Sequence, residues 1–337
     1  MKMKDLFISV IITAYNRKKY LLDAFKSAYN QTLPKDKYEI IVTKNFKDER
    51  IDSFIKKHDG RLIFFRHSGL GLRLDNALKH AKGEVICFLE DDDLFVKEKL
   101  ATIYKLFNEN KNLGYINNAR YYIDEDSREL VKGTNKFEKI ESVLLNNRSL
   151  LKLLKLDIQG PWHNSSSISI RKKYLLKHLN TLKIVTYTPD LFLYFISLDS
   201  KQNLLLLNKK LTKYRVHSSA SLSLNTYMNF KKTMLKTSSA DLKLSRALYK
   251  NFKRPEIKKY LEIRIREKVT EYLFYKCDCK KKVLINYIKD LPYLVFIRPK
   301  LNLLRGLQVL FYIIAPEKFR WFNYMRTKKY MSQIKGR

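Results

Sequence analysis

The stretch Glu84-Val85-Ile86-Cys87-Phe88-Leu89-Glu90-Asp91-Asp92-Asp93 decides how the first part of the chain folds. Residues 84–89 form a short, largely apolar run that is typical of a buried strand in an α/β sheet. Four acidic residues follow at the carboxyl end of this strand, where α/β sheets bind their ligands. Adjacent carboxylates repel one another unless a cation lies among them, and such oxygen ligands suit Mg²⁺ or Mn²⁺. The stretch therefore predicts a divalent metal site.

A structural interpretation of the same run is that it starts a helix. A helix is expected to begin near Val96, and Asp93 would then be its N-cap residue. This interpretation accounts for Asp93 alone. It gives no role to Glu90 and Asp92, which lie on one face of the extended chain.

Strands and helices alternate on the N-terminal side of the acidic run. Apolar, β-prone stretches predict a strand from Ile8 and further strands over 38–43 and 61–65, and apolar residues at helical spacing predict helices over 20–30, 50–58 and 73–81. Such alternation is typical of βαβ units. We therefore expect a Rossmann-type α/β domain with a mostly parallel sheet and helices on both faces.

Four motifs in this region occur in a characteristic order. They are Ile11-Ile12-Thr13-Ala14-Tyr15-Asn16-Arg17, Glu39-Ile40-Ile41-Val42, Gly69-x-Gly71 with Asn76-x-x-x-x-Ala81-x-Gly83-Glu84, and Phe88-Leu89-Glu90-Asp91-Asp92-Asp93. Together they resemble the family-two inverting glycosyltransferases of GT-A fold. A looser match continues to about Ser223 through Thr188-Pro189-Asp190 and Tyr214-Arg215-Val216-His217-Ser218-Ser219.

The resemblance implies a nucleotide-sugar donor site at the ends of the first two strands. It places Glu90 and Asp92 at the metal- and diphosphate-binding D-x-D positions, with Asp92 as the direct ligand. His217 would contact the metal or the leaving diphosphate, and Arg215 beside it suggests a phosphate role. The donor-binding positions are Thr13, Ala14, Tyr15, Arg17, Thr43, Asn45, Gly71, Arg73, Asn76 and Asp91.

The resemblance also supplies a candidate general base. Asp190 precedes an apolar helix over 191–198 and stands where the family has its catalytic acidic residue. Its role would be to remove the proton from the attacking acceptor hydroxyl. The alternative is a helix N-cap, because Pro189 precedes it and apolar residues follow. Asp199 and Asp157 are further candidates for the base.

The end of the second strand departs from the family pattern. The family often has paired Asp residues there, one of which recognises the nucleotide base, whereas this chain has Thr43-Lys44-Asn45-Phe46. Lys44 offers no acceptor for a base N–H, although Thr43 and Asn45 do. Asp48 or Glu49 could supply the acidic group instead. The residues at this strand end do not identify the nucleotide, so UDP is taken as the default.

Positive charge is concentrated in the last third of the chain. The 337 residues include 68 Lys and Arg against 33 Asp and Glu, a net charge of +35. From Thr226 onward there are 28 basic and 8 acidic residues, a net charge of +20. A field of this sign attracts phosphate-rich partners, including anionic membranes and lipid-linked phosphates.

The basic region has the pattern of helices that lie on a membrane surface. Apolar residues alternate with cations over 291–314, and aromatic residues alternate with cations over 318–326. The longest uncharged run, Gly306 to Pro316, is too short to span a bilayer. We predict residues 1–224 as the catalytic domain and 225–337 as a helical, membrane-apposed extension. The alternative is that these helices pack as an ordinary extension with a solvated charged face.

These observations predict a cytoplasmic, peripheral membrane enzyme. The first residues lead directly into a strand, and the three cysteines suit a reducing compartment. The acceptor would be a glycan or a lipid-linked sugar, with Trp162 and His163 in the acceptor loop, although a buried structural role for Trp162 is the simpler expectation. A nucleic-acid-binding protein is disfavoured, because there is no such motif and the acidic run would repel phosphates. A degenerate, binding-only transferase fold is the other alternative.

Overall fold

The computed structural model describes residues 5–130, 142–145, 163–217, 226–276, 280–297 and 299–334. The chain divides into two units, Met1–Arg215 and Val216–Arg337. The first contains a sheet with flanking helices, and the second is helical over its described residues. The predicted α/β domain followed by a helical region is confirmed.

The first unit alternates strands and helices as its sequence predicts. Its strands are β1 (Ile8–Ala14), β2 (Tyr38–Lys44), β3 (Arg61–Phe64), β4 (Val85–Glu90), β5 (Leu94–Phe95), β6 (Leu113–Ile123), β7 (Val143–Leu145), β8 (Ile168–Arg171) and β9 (Asn203–Arg215). Its helices are α1 (Leu21–Tyr29), α2 (Glu49–Lys57), α3 (Leu70–His80), α4 (Lys99–Glu109), α5 (Lys172–Leu176), α6 (Leu179–Leu182) and α7 (Pro189–Asp199). Short 3₁₀ turns occupy Lys35–Lys37 and Ser165–Ser167.

The described strands form one mixed sheet in the order β3-β2-β1-β4-β8-β6-β9-β5, with β7 also paired to β9. The first four strands in this order are parallel, as βαβ units require. Strand β8 is antiparallel to both β4 and β6, whereas β6 and β9 are parallel. The parallel part is thus the half in which the motifs predict the donor site.

Helices cover both faces of the parallel part. Every second residue of β1, from Ile8 to Ala14, belongs to a core that also contains buried residues of α1, α2 and α4. On the opposite face, α3 packs near β1 and β2, while α7 packs near β6 and β8. Because both faces are covered, β1 and β4 consist almost entirely of buried apolar residues.

Glycine at position 83 permits the close approach of the loop before β4 to β1. A Cβ atom on Gly83 would lie 2.3 Å from the backbone nitrogen of Ser9. The Gly83 N–H donates to the Ser9 hydroxyl, which in turn donates to Glu39. This explains physically why the glycine of the third motif precedes β4.

The prediction that a helix begins near Val96 with Asp93 as its N-cap is wrong. Helix α4 begins at Lys99, with Glu98 at the N-cap position. Residues Leu94 and Phe95 instead form β5, which pairs with β9. Asp93 is therefore available for contacts at the strand end.

The second unit contains α8 (Tyr227–Asn251), α9 (Pro255–Lys276), α10 (Lys280–Ile297), α11 (Pro299–Ile314) and α12 (Pro316–Ile334). Its core is mostly aromatic and consists of Phe230, Phe274, Tyr275, Val283, Val309, Tyr312, Phe319 and Tyr324. No helix among the described residues is long and apolar enough to cross a membrane.

Candidate active site

The carboxyl ends of β2, β1 and β4 lie side by side. In the register of the sheet, Thr13 at the end of β1 has Thr43 on one side and Glu90 on the other. Strand β4 ends at Glu90, and Asp91 to Asp93 turn away from the sheet. The structure thus brings the first-strand, second-strand and D-x-D motifs to one edge.

The acidic turn, Glu90–Asp93, gathers three carboxylates in one place. Ligand atoms of Glu90, Asp92 and Asp93 all lie within 4.8 Å of one another. Burial and the charge of Asp92 raise the pKa of Asp93 to about 7, and burial with the charges of Asp92 and Asp93 raises that of Glu90. Carboxylates that repel one another in this way form a site that favours a bound cation.

Arg17 contacts the acidic turn from the loop after β1. Its guanidinium pairs with both oxygens of Asp91, the Nε–Oδ2 distance being 3.1 Å, and lies 2.7 Å from Asp92 Oδ2. Burial nevertheless raises the pKa of Asp91 to about 6, against the opposing effect of Arg17. Two predicted donor-binding residues, Arg17 and Asp91, therefore lie together beside the metal-ligand candidates.

The serine segment, Asn164–Ser167, holds the acidic turn from the other side. The Ser165 hydroxyl donates to Glu90 Oε1, and the Glu90 N–H donates to Ser166 Oγ at 3.0 Å. Asn164 Nδ2 donates to Asp93 Oδ2 at 3.1 Å. Asn164 has a φ of 72°, a left-handed conformation that asparagine tolerates better than most residues. No local pattern predicts that this segment contacts the turn, because more than seventy residues separate them.

Asp190 lies in the first turn of α7 and faces the same segment. Thr188 occupies the N-cap position and Pro189 begins the helix, so the N-cap interpretation of Asp190 is wrong. Asp190 Oδ2 accepts the Asn164 N–H at 3.0 Å, and Oδ1 accepts the Leu191 N–H at 2.9 Å. Its charge also contributes to raising the pKa of Glu90, after the larger effects of burial and the two aspartates. Asn164 thereby joins Asp190 to the carboxylate group.

Arg215 is a structural residue rather than a phosphate ligand. It is 1% exposed, and its Nε donates to the Asp92 carbonyl at 2.8 Å while its backbone N–H donates to Asp93 Oδ1 at 2.9 Å. Its Nη atoms donate to the carbonyls of Asp124 and Glu125 and to Ser127 Oγ. With these donors engaged, the predicted phosphate role of Arg215 is wrong. The residue fixes the backbone of the acidic turn.

Comparison with known proteins agrees with this arrangement. The sequence profile described as "Glycosyl transferase family 2" matches residues 9–200. The chain belongs to this family. The match covers most of β1 together with the acidic turn, the serine segment and Asp190, whereas Arg215 lies beyond it.

Curated relatives of this family-two chain are similar mainly over its N-terminal part. A poly(ribitol-phosphate) beta-glucosyltransferase of Bacillus spizizenii is 34% identical over 112 residues, which cover 31% of this chain and 18% of the relative. An uncharacterised glycosyltransferase of Rickettsia typhi is 28% identical over 227 residues, covering 66% and 67% of the two chains. The chain spans less than half the length of several relatives, including 45% of one from Methanocaldococcus jannaschii.

Solved structures share the fold of this family member. The crystal structure of S. aureus TarS 1-349 with UDP-GlcNAc has a TM-score of 0.54 at 16% identity, covering 79% of this chain and 72% of that chain. A mannosyltransferase from Pyrobaculum calidifontis, in complex with GDP-Man and Mn²⁺, also has a TM-score of 0.54, at 12% identity and with coverage of 96% and 88%. At these identities the likeness concerns the fold.

The end of β2 differs in this family member from the expected acidic pair. Lys44 is 2% exposed and its ammonium lies 2.7 Å from Asp52 Oδ1, a pairing between β2 and α2. The Asn45 and Asn16 side chains are hydrogen-bonded to each other. Asp48 caps α2 by accepting the Ile51 N–H at 3.1 Å. Asp48 is therefore engaged locally, while Thr43 Oγ1 is buried without a hydrogen-bond partner.

The predicted donor residues of α3 divide between packing and the site. Gly71 packs against the end of α6, because a Cβ atom there would lie 1.8 Å from the Leu182 carbonyl oxygen. The Arg73 guanidinium lies over the Tyr15 ring at 4.6 Å, and Arg73 Nε is buried without a partner. Asn76 Oδ1 is also buried without a hydrogen-bond partner. Arg73 and Asn76 thus retain polar atoms that a ligand could contact.

The remaining predicted site residues are Trp162 and His163 for the acceptor, His217 for the metal and Ala14 for the donor. Trp162 lies outside the described residues. His163 is exposed, its carbonyl accepts from Arg120 Nη1 at 2.9 Å, and its ring lies 6.0 Å from that of Tyr214. His217 is 3% exposed and is not part of the carboxylate group, so its metal role stays a prediction. Ala14 is buried at the end of β1, in register with Lys44.

A buried lysine supports the serine segment through a hydrogen bond to its backbone. Lys99 is fully buried, and its Nζ donates to Asn118 Oδ1 at 3.0 Å, to the Ser166 carbonyl at 2.6 Å and to Thr212 Oγ1 at 2.9 Å. Burial lowers the pKa of this amine to about 7. Because Ser166 also accepts the Glu90 N–H, Lys99 positions the segment that holds the acidic turn. An isolated lysine at the start of a helix carried no signal of this role.

Proposed function

We propose that this chain catalyses the inverting, metal-dependent transfer of a sugar from a nucleotide-sugar donor to a hydroxyl group of a glycan or lipid-linked acceptor. The observation that carries the proposal is the double contact of Asn164. Its side chain holds Asp93, while its backbone N–H holds Asp190. One residue thereby joins the proposed cation-binding group to the candidate base, and a single displacement needs both groups near one anomeric carbon atom.

The donor set of the acidic turn suits Mg²⁺ or Mn²⁺. Both ions bind hard oxygen ligands such as carboxylates. Glu90, Asp92 and Asp93, whose ligand atoms all lie within 4.8 Å of one another, would hold the ion. A bound ion would neutralise the diphosphate as it leaves. Asp93 joins Glu90 and Asp92 in this proposal, and His217 is a further candidate ligand.

Asp190 acts as the general base in the proposed reaction. Two backbone N–H donors fix its carboxylate, and a carboxylate oxygen is the kind of group that accepts a proton from an acceptor hydroxyl. The acceptor oxygen forms a bond to the anomeric carbon as the bond from that carbon to the diphosphate oxygen breaks. The hydroxyl proton passes to Asp190, and the nucleoside diphosphate leaves. A single displacement of this kind inverts the anomeric configuration.

UDP is the proposed nucleotide, with its base near the end of β2 and its diphosphate near the acidic turn. Thr43, Asn45, Arg73 and Asn76 supply polar atoms on that side. A TarS structure of this fold binds UDP-GlcNAc and a mannosyltransferase of this fold binds GDP-Man, so the donor panel below has to distinguish UDP from GDP. Arg17 lies beside Asp91 and Asp92, where its guanidinium is within reach of a diphosphate.

The proposed acceptor is anionic or attached to an anionic surface, at the inner face of the cell membrane. The charge of +35 supports this, because such a field concentrates phosphate-bearing partners. Relatives from Bacillus and Staphylococcus are named as transferases acting on poly(ribitol-phosphate), a polyanion. An acceptor of this chemical class is consistent with both observations.

A donor panel tests the proposal directly. Purified protein is incubated with UDP-, GDP- and dTDP-sugars in Mn²⁺, and release of the nucleoside diphosphate is measured with and without EDTA. We expect release from one nucleotide class, abolished by EDTA. Full activity in EDTA would overturn the metal assignment. Tight donor binding without turnover, with or without candidate acceptors, would instead identify a binding-only transferase fold.

A further inference from the structure

Helices α11 and α12 present apolar side chains to the outside of the second unit. On α11, Leu307, Leu310 and Ile314 are 56%, 53% and 70% exposed, and their spacing places them on one side of the helix. On α12, Trp321, Phe322 and Met325 are 54%, 49% and 40% exposed. These six residues are called the outer apolar face below.

The outer apolar face lies apart from the buried core of the unit, although Phe322 also contacts the neighbouring helix. Val309 and Tyr312 of α11, and Phe319 and Tyr324 of α12, are buried in the aromatic core of the unit. Each helix therefore has a buried side of its own as well as an exposed apolar side. The rings of Phe311 and Phe322 lie 5.9 Å apart and connect the two helices. The predicted aromatic–cation alternation over 318–326 thus divides into an inward half and an outward half.

Exposed cations accompany the apolar side chains along α12. Lys318, Arg326, Lys328 and Lys329 are exposed on this helix. The acidic residue nearby, Glu317, pairs with Arg320 and accepts a hydrogen bond from Tyr227 at 2.8 Å. The second unit as a whole carries more than three basic residues for each acidic one. The surface therefore combines exposed aromatic and aliphatic groups with exposed positive charges.

We infer that the outer apolar face is a docking surface for an anionic lipid bilayer. Aromatic and aliphatic side chains enter the boundary between headgroups and acyl chains, while lysine and arginine contact anionic headgroups. A second copy of the chain is a less suitable occupant, because it would bring another strongly positive surface against this one. This inference is independent of the proposed transfer reaction.

Trp321 provides a direct probe of docking. The chain contains two tryptophans, Trp162 and Trp321, so a Trp162→Phe protein reports from α12 alone. We expect its emission to shift to shorter wavelength with vesicles containing 30% phosphatidylglycerol in phosphatidylcholine. Brominated lipids should quench it. The shift should be weaker with phosphatidylcholine alone and should diminish as salt rises, because salt screens the headgroup attraction. Unchanged emission with anionic vesicles would overturn the inference.

Matched variants of the full-length chain locate the surface. The triple variant Leu310→Ser, Ile314→Ser, Phe322→Ser should lower vesicle partitioning by at least about 10-fold, because three exposed apolar groups are lost from the interface. The control Phe64→Ser, Leu176→Ser removes exposed apolar residues of the first unit and should bind like the wild type. Circular dichroism verifies folding of each variant.

The possible results distinguish a membrane from a second copy of the chain as the partner of the outer apolar face. Equal vesicle binding by the triple variant and the wild type would overturn the inference, as would a wild-type dimer that the triple variant loses without any vesicle binding. Since these measurements use no donor or acceptor, their failure leaves the proposed transfer reaction untouched. An inactive protein that still docks would in turn refute the reaction alone.

Discussion

In the helical unit a buried carboxylate lies between two cations, whereas in the α/β unit buried carboxylates crowd against one another. Asp241 is 2.8 Å from Arg264 Nη2 and 3.2 Å from Lys268 Nζ, and both cations belong to the neighbouring helix α9. In the acidic turn, burial and then the charge of Asp92 raise the pKa of both Glu90 and Asp93. Both groups are buried and ionic, but their charges are arranged in opposite ways.

The difference distinguishes a structural ion cluster from a proposed cation site. A buried carboxylate with its own cations contributes to stability only as part of the intact cluster, and removing it leaves uncompensated charge. Crowded carboxylates do the reverse, because their repulsion destabilises the fold until a cation binds. Substitutions in the α/β group should therefore affect the reaction, and substitutions at Asp241 should affect folding.

The largest expected effect follows substitution of the candidate base. Asp190→Asn should lower the transfer rate by about 10²–10⁴-fold, because it removes the proton acceptor. Donor binding, measured by calorimetry, should be nearly unchanged, since the amide oxygen still accepts an N–H. Asp199→Asn, on the same helix and 3.8 Å from His178, is the matched control and should retain activity. Near-normal turnover by the Asp190 variant would move the base elsewhere.

Substitution within the carboxylate group should separate activity from stability. Asp92→Asn should lower transfer by at least about 10²-fold, because a charge that holds the cation is lost. Its free energy of unfolding without metal should change little, because relief of the repulsion with Glu90 and Asp93 offsets the loss of the ion pair with Arg17. Saturating Mn²⁺ should stabilise the wild type, by about 2.7 kcal/mol at a hundredfold excess over Kd, and not the variant. Equal metal stabilisation of both proteins, measured by urea unfolding, would contradict the site.

The opposite result is expected in the helical unit. Asp241→Asn should lower the free energy of unfolding of this unit by about 3–5 kcal/mol, because Arg264 and Lys268 would lose a buried partner. Donor hydrolysis at a temperature where the variant is folded should be unchanged. Loss of transfer activity with normal stability would contradict this prediction, because Asp241 would then behave like the residues of the acidic turn.

The smallest expected effect concerns the buried lysine. Lys99→Met should cost about 1–3 kcal/mol of stability, because the acceptors on Asn118, Ser166 and Thr212 lose their donor. It should also weaken Mn²⁺ binding about 10-fold by loosening the support of the acidic turn. The exposed Lys97→Met is the control and should change neither quantity. Unaltered Mn²⁺ affinity would reduce Lys99 to a packing role.

The contribution of Lys99 to the free energy of unfolding should depend on pH in a defined direction. Burial lowers the pKa of Lys99 from 10.5 to about 7, so between these values the unfolded chain holds a proton that the folded chain lacks. Stability from this group therefore rises with pH across that window. The stability difference between wild type and Lys99→Met should grow from pH 7 to pH 10. A constant difference would show that the amine titrates normally.

Local patterns identified the elements and the acidic turn but not the contacts around it. The Val85–Leu89 strand and the following carboxylates were predictable, because apolar runs and their polar ends are short-range features. The predicted helix start near Val96 is wrong. Leu94 and Phe95 form β5, which pairs with the distant strand β9, and the helix begins only at Lys99. Arg215 was given a phosphate role for a related reason, since its carbonyl partners near Asp124 are invisible in its own motif.

The sequence by itself determined the α/β alternation, the acidic run after β4 and the basic helical region, because periodicity and charge are carried by neighbouring residues. Only the tertiary structure decided which groups meet at the strand ends. Ser165 reaches Glu90, Asn164 joins Asp93 to Asp190, and Lys99 supports Ser166 across separations that no local pattern encodes. It also decided which aromatic residues of α12 face the core and which face outward. The physical reason is that burial and hydrogen bonding depend on register and packing between elements, whereas propensity acts within them.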